Sequence, residues 1–202
     1  MIGRLDASAV GLDLPAAELE ITRRNSMAYA AAIRPRPVYM DDLAPDGPLV
    51  PPFFCVVPEW SILNGSAYHN ALGLDETTRR RGVHVLQDSR FLRSIRAPAR
   101  LQTRGRITAM RPTRRGALVS VHLVTSDSVG PVAETYWSAI YLDLDGEEAG
   151  TAPVPETPGP PAIETETTIH VGPGVPHVYS ECSGIWNPIH TERAVATSIG
   201  LS

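Results

Sequence analysis

Lysine is missing from this chain: all 18 basic residues are arginine, set against 22 acids in 202 residues, for a formal charge of −4. Alanine, glycine and proline are abundant alongside it, so the arginine bias reads as codon composition rather than function. Cysteine is nearly missing too. Cys55 and Cys182 stand in unrelated contexts, with no C-x-x-C and no Cys/His spacing, which excludes a disulfide framework and a zinc site. The expectation is a reduced, cytoplasmic protein with no metal and no resident cofactor. Long apolar runs are equally scarce. The longest, Leu49 to Pro58, is ten residues broken by three prolines, far short of the roughly 20 that cross a bilayer. The N-terminus carries acids where a signal peptide needs a basic flank and a continuous apolar stretch, so neither a membrane span nor secretion is expected.

What is present is enough to fold. A chain of 202 residues that is 43% hydrophobic and 20% charged buries enough surface to offset its conformational entropy. Its length suits one full domain and part of a second, at about 100 to 200 residues per domain.

Charge is uneven along the chain. Twelve arginines fall between Arg79 and Arg115, where Asp88 is the one acid, a local net of +11. They are not interleaved with the stacking aromatics that single-strand binding needs, and the chain as a whole is acidic, so nucleic acid is not the expected partner. The phosphates of a small ligand need only a few guanidinium groups. Arg104 and Arg106, which would share one strand face, are the candidates.

Periodicity divides the chain. A short helix is predicted over Ser26 to Ile33, capped by Asn25 or Ser26 and stopped by Pro35 and Pro37. The apolar run Phe53 to Leu63 reads as a buried helix interrupted at Pro58. From Val83 the period becomes two: Val83 to Leu92, Ala99 to Met110, Ala117 to Ser126 and Val132 to Leu144 read as strands separated by Pro and Gly. Four strands with tight connections predict an antiparallel sheet, with the preceding helical material as the cover for one face. The fold class expected is α+β, over residues 1–148. Between Thr151 and Pro161 five of 11 residues are proline, the composition of an extended spacer, placed at residues 149–163. A further segment, 164–202, begins with a weak strand from Glu164 to Val171 and a helix near Tyr179.

The two parts echo each other. Tyr29 to Ile33 followed by Arg36-Pro37-Val38-Tyr39 matches Tyr179 to Ser183 followed by Asn187-Pro188-Ile189-His190, at an offset of 150 to 151 residues. If this is a tandem repeat, the second copy has 12 residues after His190 where the first has over 100 after Tyr39. The expectation is an unfinished second domain whose missing sheet comes from a partner chain.

The densest chemistry lies in Ser183-Gly184-Ile185-Trp186-Asn187-Pro188-Ile189-His190. A helix is expected to end at Ser183-Gly184, Asn187-Pro188 to make a fixed turn with Asn187 bonding the backbone, and a new helix to start near Thr191. His190 would then sit at a helix N-terminus, whose positive end favours a neutral ring able to accept a proton.

This pattern, S-G-x-x-N-P-I-H, resembles the hydratase 2 motif of the MaoC-like dehydratases, the (R)-specific enoyl-CoA hydratases of the hot-dog fold. Tyr29-Ala30, Pro37-Val38-Tyr39, Pro51-Pro52-Phe53 and Gln87-Asp88-x-x-Phe91 resemble landmarks of the family's N-terminal domain. The resemblance implies a tandem double hot dog, here with its second half incomplete, in which a helix is wrapped by curved sheet. It implies hydration of a 2-enoyl thioester of coenzyme A, or dehydration of the 3-hydroxyacyl thioester, with His190 as acid/base and Ser183, Gly184 and Asn187 shaping its loop. It also implies a silent first half that shapes the acyl-binding space, and a homodimer or a heteromer with a second hot-dog subunit. The family's catalytic Asp falls at position 185, where this chain has Ile185, and its oxyanion donor falls beyond Ser202. A non-catalytic acyl-CoA-binding subunit of a heteromeric hydratase is therefore the alternative, and a hot-dog thioesterase the third reading.

Overall fold

The structure, a computed structural model, describes residues 3–152 and 166–201. The spacer's proline-rich stretch, 153–165, lies outside the described residues.

The chain enters the sheet through β1 (Asp13–Ile21), an edge strand that alternation alone does not mark. Pro15 breaks the pattern at the point where the register against the third strand shifts, between Leu14 and Ala17. An edge strand tolerates this because its outward N–H groups have no ladder partner to lose. Next come α1 (Arg23–Ile33), α2 (Pro37–Met40), a 3-10 turn at Pro52–Cys55, α3 (Val56–Leu63), α4 (Ser66–Ala71) and α5 (Glu76–Arg79). Then follow β2 (Gly82–Phe91), β3 (Ala99–Thr113), β4 (Gly116–Ser126), β5 (Pro131–Leu142) and the two-residue β6 (Ala149–Gly150). The order is β1-β3-β4-β5-β2, antiparallel throughout, with β6 paired to β3. Four of these strands match the predicted ones to within a few residues. The first two residues assigned to the spacer, Ala149 and Gly150, thus belong to the sheet.

Two helix expectations change. α1 begins at Arg23, because Thr22 rather than Asn25 or Ser26 is the cap. Thr22 Oγ1 accepts from the Asn25 N–H at 3.1 Å while Asn25 Oδ1 accepts from the Thr22 N–H at 2.8 Å. Thr22→Ala is expected to lower stability by about 1 kcal/mol in chemical denaturation. Pro58 does not interrupt α3, since it lies in the first turn, where its absent N–H would have had no intrahelical partner.

α3 lies on the inner face of the sheet, as the buried side of β3 requires. Leu101, Thr103, Gly105 and Ile107 face it, and a Cβ at Gly105 would stand 3.1 Å from Ile62 Cγ2. Two apolar clusters result, one holding Leu14, Ile62, Ile107 and Trp137, the other Ile21, Tyr29, Phe54, Leu101 and Val132.

The second segment packs on the first through its own echo. α6 (Val175–Ser183) lies against α1, and the repeat-related Tyr29 and Tyr179 rings meet at 5.9 Å. Helix ends correspond as well: Gly184 (φ +69°) closes α6, and Arg34, 150 residues earlier, closes α1 at φ +114°. Pro37 and Pro188 each occupy the first turn of a short helical element. α6 starts at Val175, four residues before the expected position, and residues 166–171 form no strand, with Ile169 and Val171 exposed. α7 (Arg193–Ser198) completes the described chain.

Candidate functional site

The loop after α6 is held by short-range hydrogen bonds. The buried Ser183 hydroxyl accepts the Ile185 N–H at 3.1 Å, and Asn187 Oδ1 accepts the Ile189 N–H at 3.3 Å. Asn187 thus caps the 3-10 turn Pro188–His190 and shapes the chain that carries His190. The expected position of His190 at a helix N-terminus does not hold: it is the last residue of this turn, and α7 begins only at Arg193 behind its own cap, Glu192. His190 is exposed and Ile185 half-buried.

Across from His190 lies the edge strand of the first half. His84, on β2, has its pKa held below the usual value chiefly by burial; a hydrogen bond with the Leu86 carbonyl opposes this, and the neighbouring His190 adds to it. The His84 ring stacks on Trp137 at 5.4 Å. Ser183 and Gly184 at the end of α6 and Asn187 and His190 on the turn that follows thus stand together, with His190 near His84.

Arg104 and Arg106 share a strand face as predicted, but it is the outer one, opposite α3. Arg106 pairs with Asp13 at 2.9 Å and Arg104 bonds Gln102 at 3.0 Å. β4 and β5 separate β3 from β2, so the structure does not bring this pair to His190. Arg80 and Arg81 line a cleft of about 600 Å³ with Ser198 and Ile199 of the second segment, each paired to a carboxylate, Glu76 and Asp143.

One residue of the first half escaped the sequence reading. Glu59, on α3, is 3% exposed. Its Oε1 accepts the Thr135 hydroxyl at 2.6 Å, and Gln87 Nε2 stands 3.5 Å from Oε2. Burial pushes its carboxyl up to about 7, against the Thr135 hydrogen bond that holds it down. The signal was present in the sequence as the single acid inside the apolar run Phe53 to Leu63. Among the described residues no cluster of three or more His, Cys, Asp or Glu is placed to hold a metal ion, and no helix is long and apolar enough to cross a membrane.

No protein-family model matches the sequence, and no curated protein matches it at a significant level. Solved structures do resemble the chain. A MaoC-like dehydratase from Phytophthora capsici is 18% identical, with a TM-score of 0.71 over 93% of this chain and 67% of its own. HtdX of Mycobacterium tuberculosis is 22% identical, with a TM-score of 0.63 over 94% of this chain and 67% of its own. The peroxisomal multifunctional enzyme type 2 of Drosophila melanogaster is 17% identical, with a TM-score of 0.63 over 94% of this chain and 33% of its own. With helix laid against a curved antiparallel sheet and neighbours of this kind, the chain has the α+β hot-dog fold of the MaoC-like dehydratases.

Proposed function

We propose that this chain is a hydratase or dehydratase of acyl-CoA thioesters, adding water across a 2-enoyl group or removing it from a 3-hydroxyacyl group. His190 takes a proton from the water as its oxygen bonds to the β carbon and delivers a proton to the α carbon as the double bond is consumed; in the reverse direction it takes the α proton and gives it to the departing hydroxyl, which leaves as water, while Asn187, Ser183 and Gly184 hold its loop. The observation that carries the reading is the hydrogen-bonded turn that presents His190 to the first half's edge strand. Coenzyme A enters as part of the substrate. Arg80 and Arg81 are better located than Arg104 and Arg106 to meet its phosphates, since their cleft adjoins α7.

The assembly is a homodimer or a heteromer with another hot-dog subunit. β2 has a ladder partner on one side only, and its Val85 and Leu86 are 48% and 49% exposed, an edge that a second sheet would cover. HadBC of Mycobacterium tuberculosis, a 3R-hydroxyacyl-ACP dehydratase complex, has a TM-score of 0.55 over 65% of this chain.

The test is loss of the conjugated-thioester absorbance when the purified protein meets short and medium 2-enoyl-CoA, alone and with any co-purifying hot-dog subunit. Hydration without thiol release supports the reading. Thiol release selects a thioesterase. Tight binding with no turnover selects the non-catalytic subunit, the reading that Ile185 favours by standing where the motif has its acid.

A further inference from the structure

The inner face of the sheet is apolar at both ends and polar in between. Thr103 and Thr125 hydrogen-bond at 2.7 Å, and in the next row Thr135 and Ser89 hydrogen-bond at 3.0 Å. Glu59 reaches into this band from α3, and among the described residues it is the one acid in the buried interior. None of the ion pairs among those residues involves it. The groups near it are neutral: Cys55 at the end of the 3-10 turn that leads into α3, Tyr29 on α1, Thr135 on β5 and Gln87 on β2.

Its hydrogen bonding is incomplete. Oε1 has a short bond from Thr135, but Oε2 has only Gln87 at 3.5 Å, the outer limit of a hydrogen bond. A buried carboxyl with a spare oxygen is costly unless something else fills the position. Glu59 meets the edge strand β2 through Gln87. Gln87 and Ser89 are half-buried on this edge strand, flanked by the edge-to-face pair Phe53 and Phe91, which are 54% and 40% exposed. Toward the other end of β2 stands His84, beside His190. A β-bulge between His84 and Leu86 leaves Gln87 only two ladder steps from His84, opposite Trp137 and Ala139, roughly 7 Å along the strand.

We infer that Glu59, with Thr135, Ser89 and Gln87, is a specificity site for the acyl chain, hydrogen-bonding a hydroxyl carried partway along the tail. This rests on the acyl-CoA reading above. A hydroxyl both donates and accepts, and so do the groups here: Ser89 and Thr135 through their hydroxyls, Gln87 through its amide, and Glu59 by holding or releasing a proton near neutrality. An ammonium would use only the ionised form and would leave the neighbouring donors idle. An unsubstituted tail would leave Oε2 unfilled.

The experiment is calorimetric binding of two acyl-CoA esters of equal length, one unsubstituted and one with a mid-chain hydroxyl, to the intact protein, Glu59→Leu and the isosteric Glu59→Gln. The intact protein should prefer the hydroxylated ester by about 10- to 100-fold. Glu59→Leu should abolish or reverse that preference while still binding the unsubstituted ester, and Glu59→Gln should keep part of it. Equal affinity of the intact protein for both esters overturns the inference and leaves the acyl-CoA reading standing, as does a preference that survives in Glu59→Leu. Failure of either ester to bind overturns both.

Discussion

Replacing His190 with alanine is expected to lower kcat for a 2-enoyl-CoA by about 10²- to 10⁴-fold, the worth of one general acid/base group. The loss should fall on kcat and leave KM nearly unchanged, because the ring acts on the proton in flight rather than on the parts of the thioester that bind. It should also leave the fold intact. His190 is exposed and closes a turn whose cap is supplied by Asn187, and exposed positions away from caps and cores cost within about 0.5 kcal/mol. A variant with unaltered kcat would remove His190 from the chemistry. An equal fall in kcat and melting temperature would assign the ring to structure instead.

The second large effect is on stability and depends on pH. Glu59 has its carboxyl pushed from 4.5 up to about 7 by burial, so the folded state holds the proton more tightly than the unfolded chain does. Below pH 4.5 both states are protonated and the full stability is present. Between pH 4.5 and 7 the unfolded chain ionises to a freely hydrated carboxylate while the folded state keeps its proton, and about 3 kcal/mol is lost across that window; above 7 both states are ionised and the loss is complete. Glu59→Gln keeps the shape and the hydrogen-bond acceptor but cannot ionise. Its unfolding free energy, compared with the intact protein by denaturant titration at pH 5 and pH 8, should show a relative gain of about 2.5 kcal/mol at the higher pH. Taking the difference between the two proteins cancels the other titrating groups, such as Asp127, whose carboxyl is held low chiefly by Arg93. Parallel pH profiles would show that Glu59 is ionised without cost, and would require water or a cation beside Oε2.

Much of this was legible beforehand because it depends on neighbours in sequence. Side-chain alternation marked β3 through β5 because each of those strands has one buried face, while β2 is half-buried at best on its edge, and glycine and proline marked the turns between the strands. Gly184 and Asn187 announced the helix end and the turn before His190, since a positive φ and an Asx cap are local requirements. The weak link was β1, where Pro15 broke a pattern that edge position alone makes tolerable.

By itself, then, the order of residues determined the helical and strand periods and the turn that carries His190, all of which are set within a few residues of chain. Only the tertiary structure decided which groups meet. It put Arg104 and Arg106 on the sheet face away from α3, set His190 opposite His84, and buried Glu59 against Thr135, which is 76 residues away. Those outcomes follow from strand order and from which face α3 covers. Both are fixed by burying apolar surface across the whole chain, a sum that no local window contains.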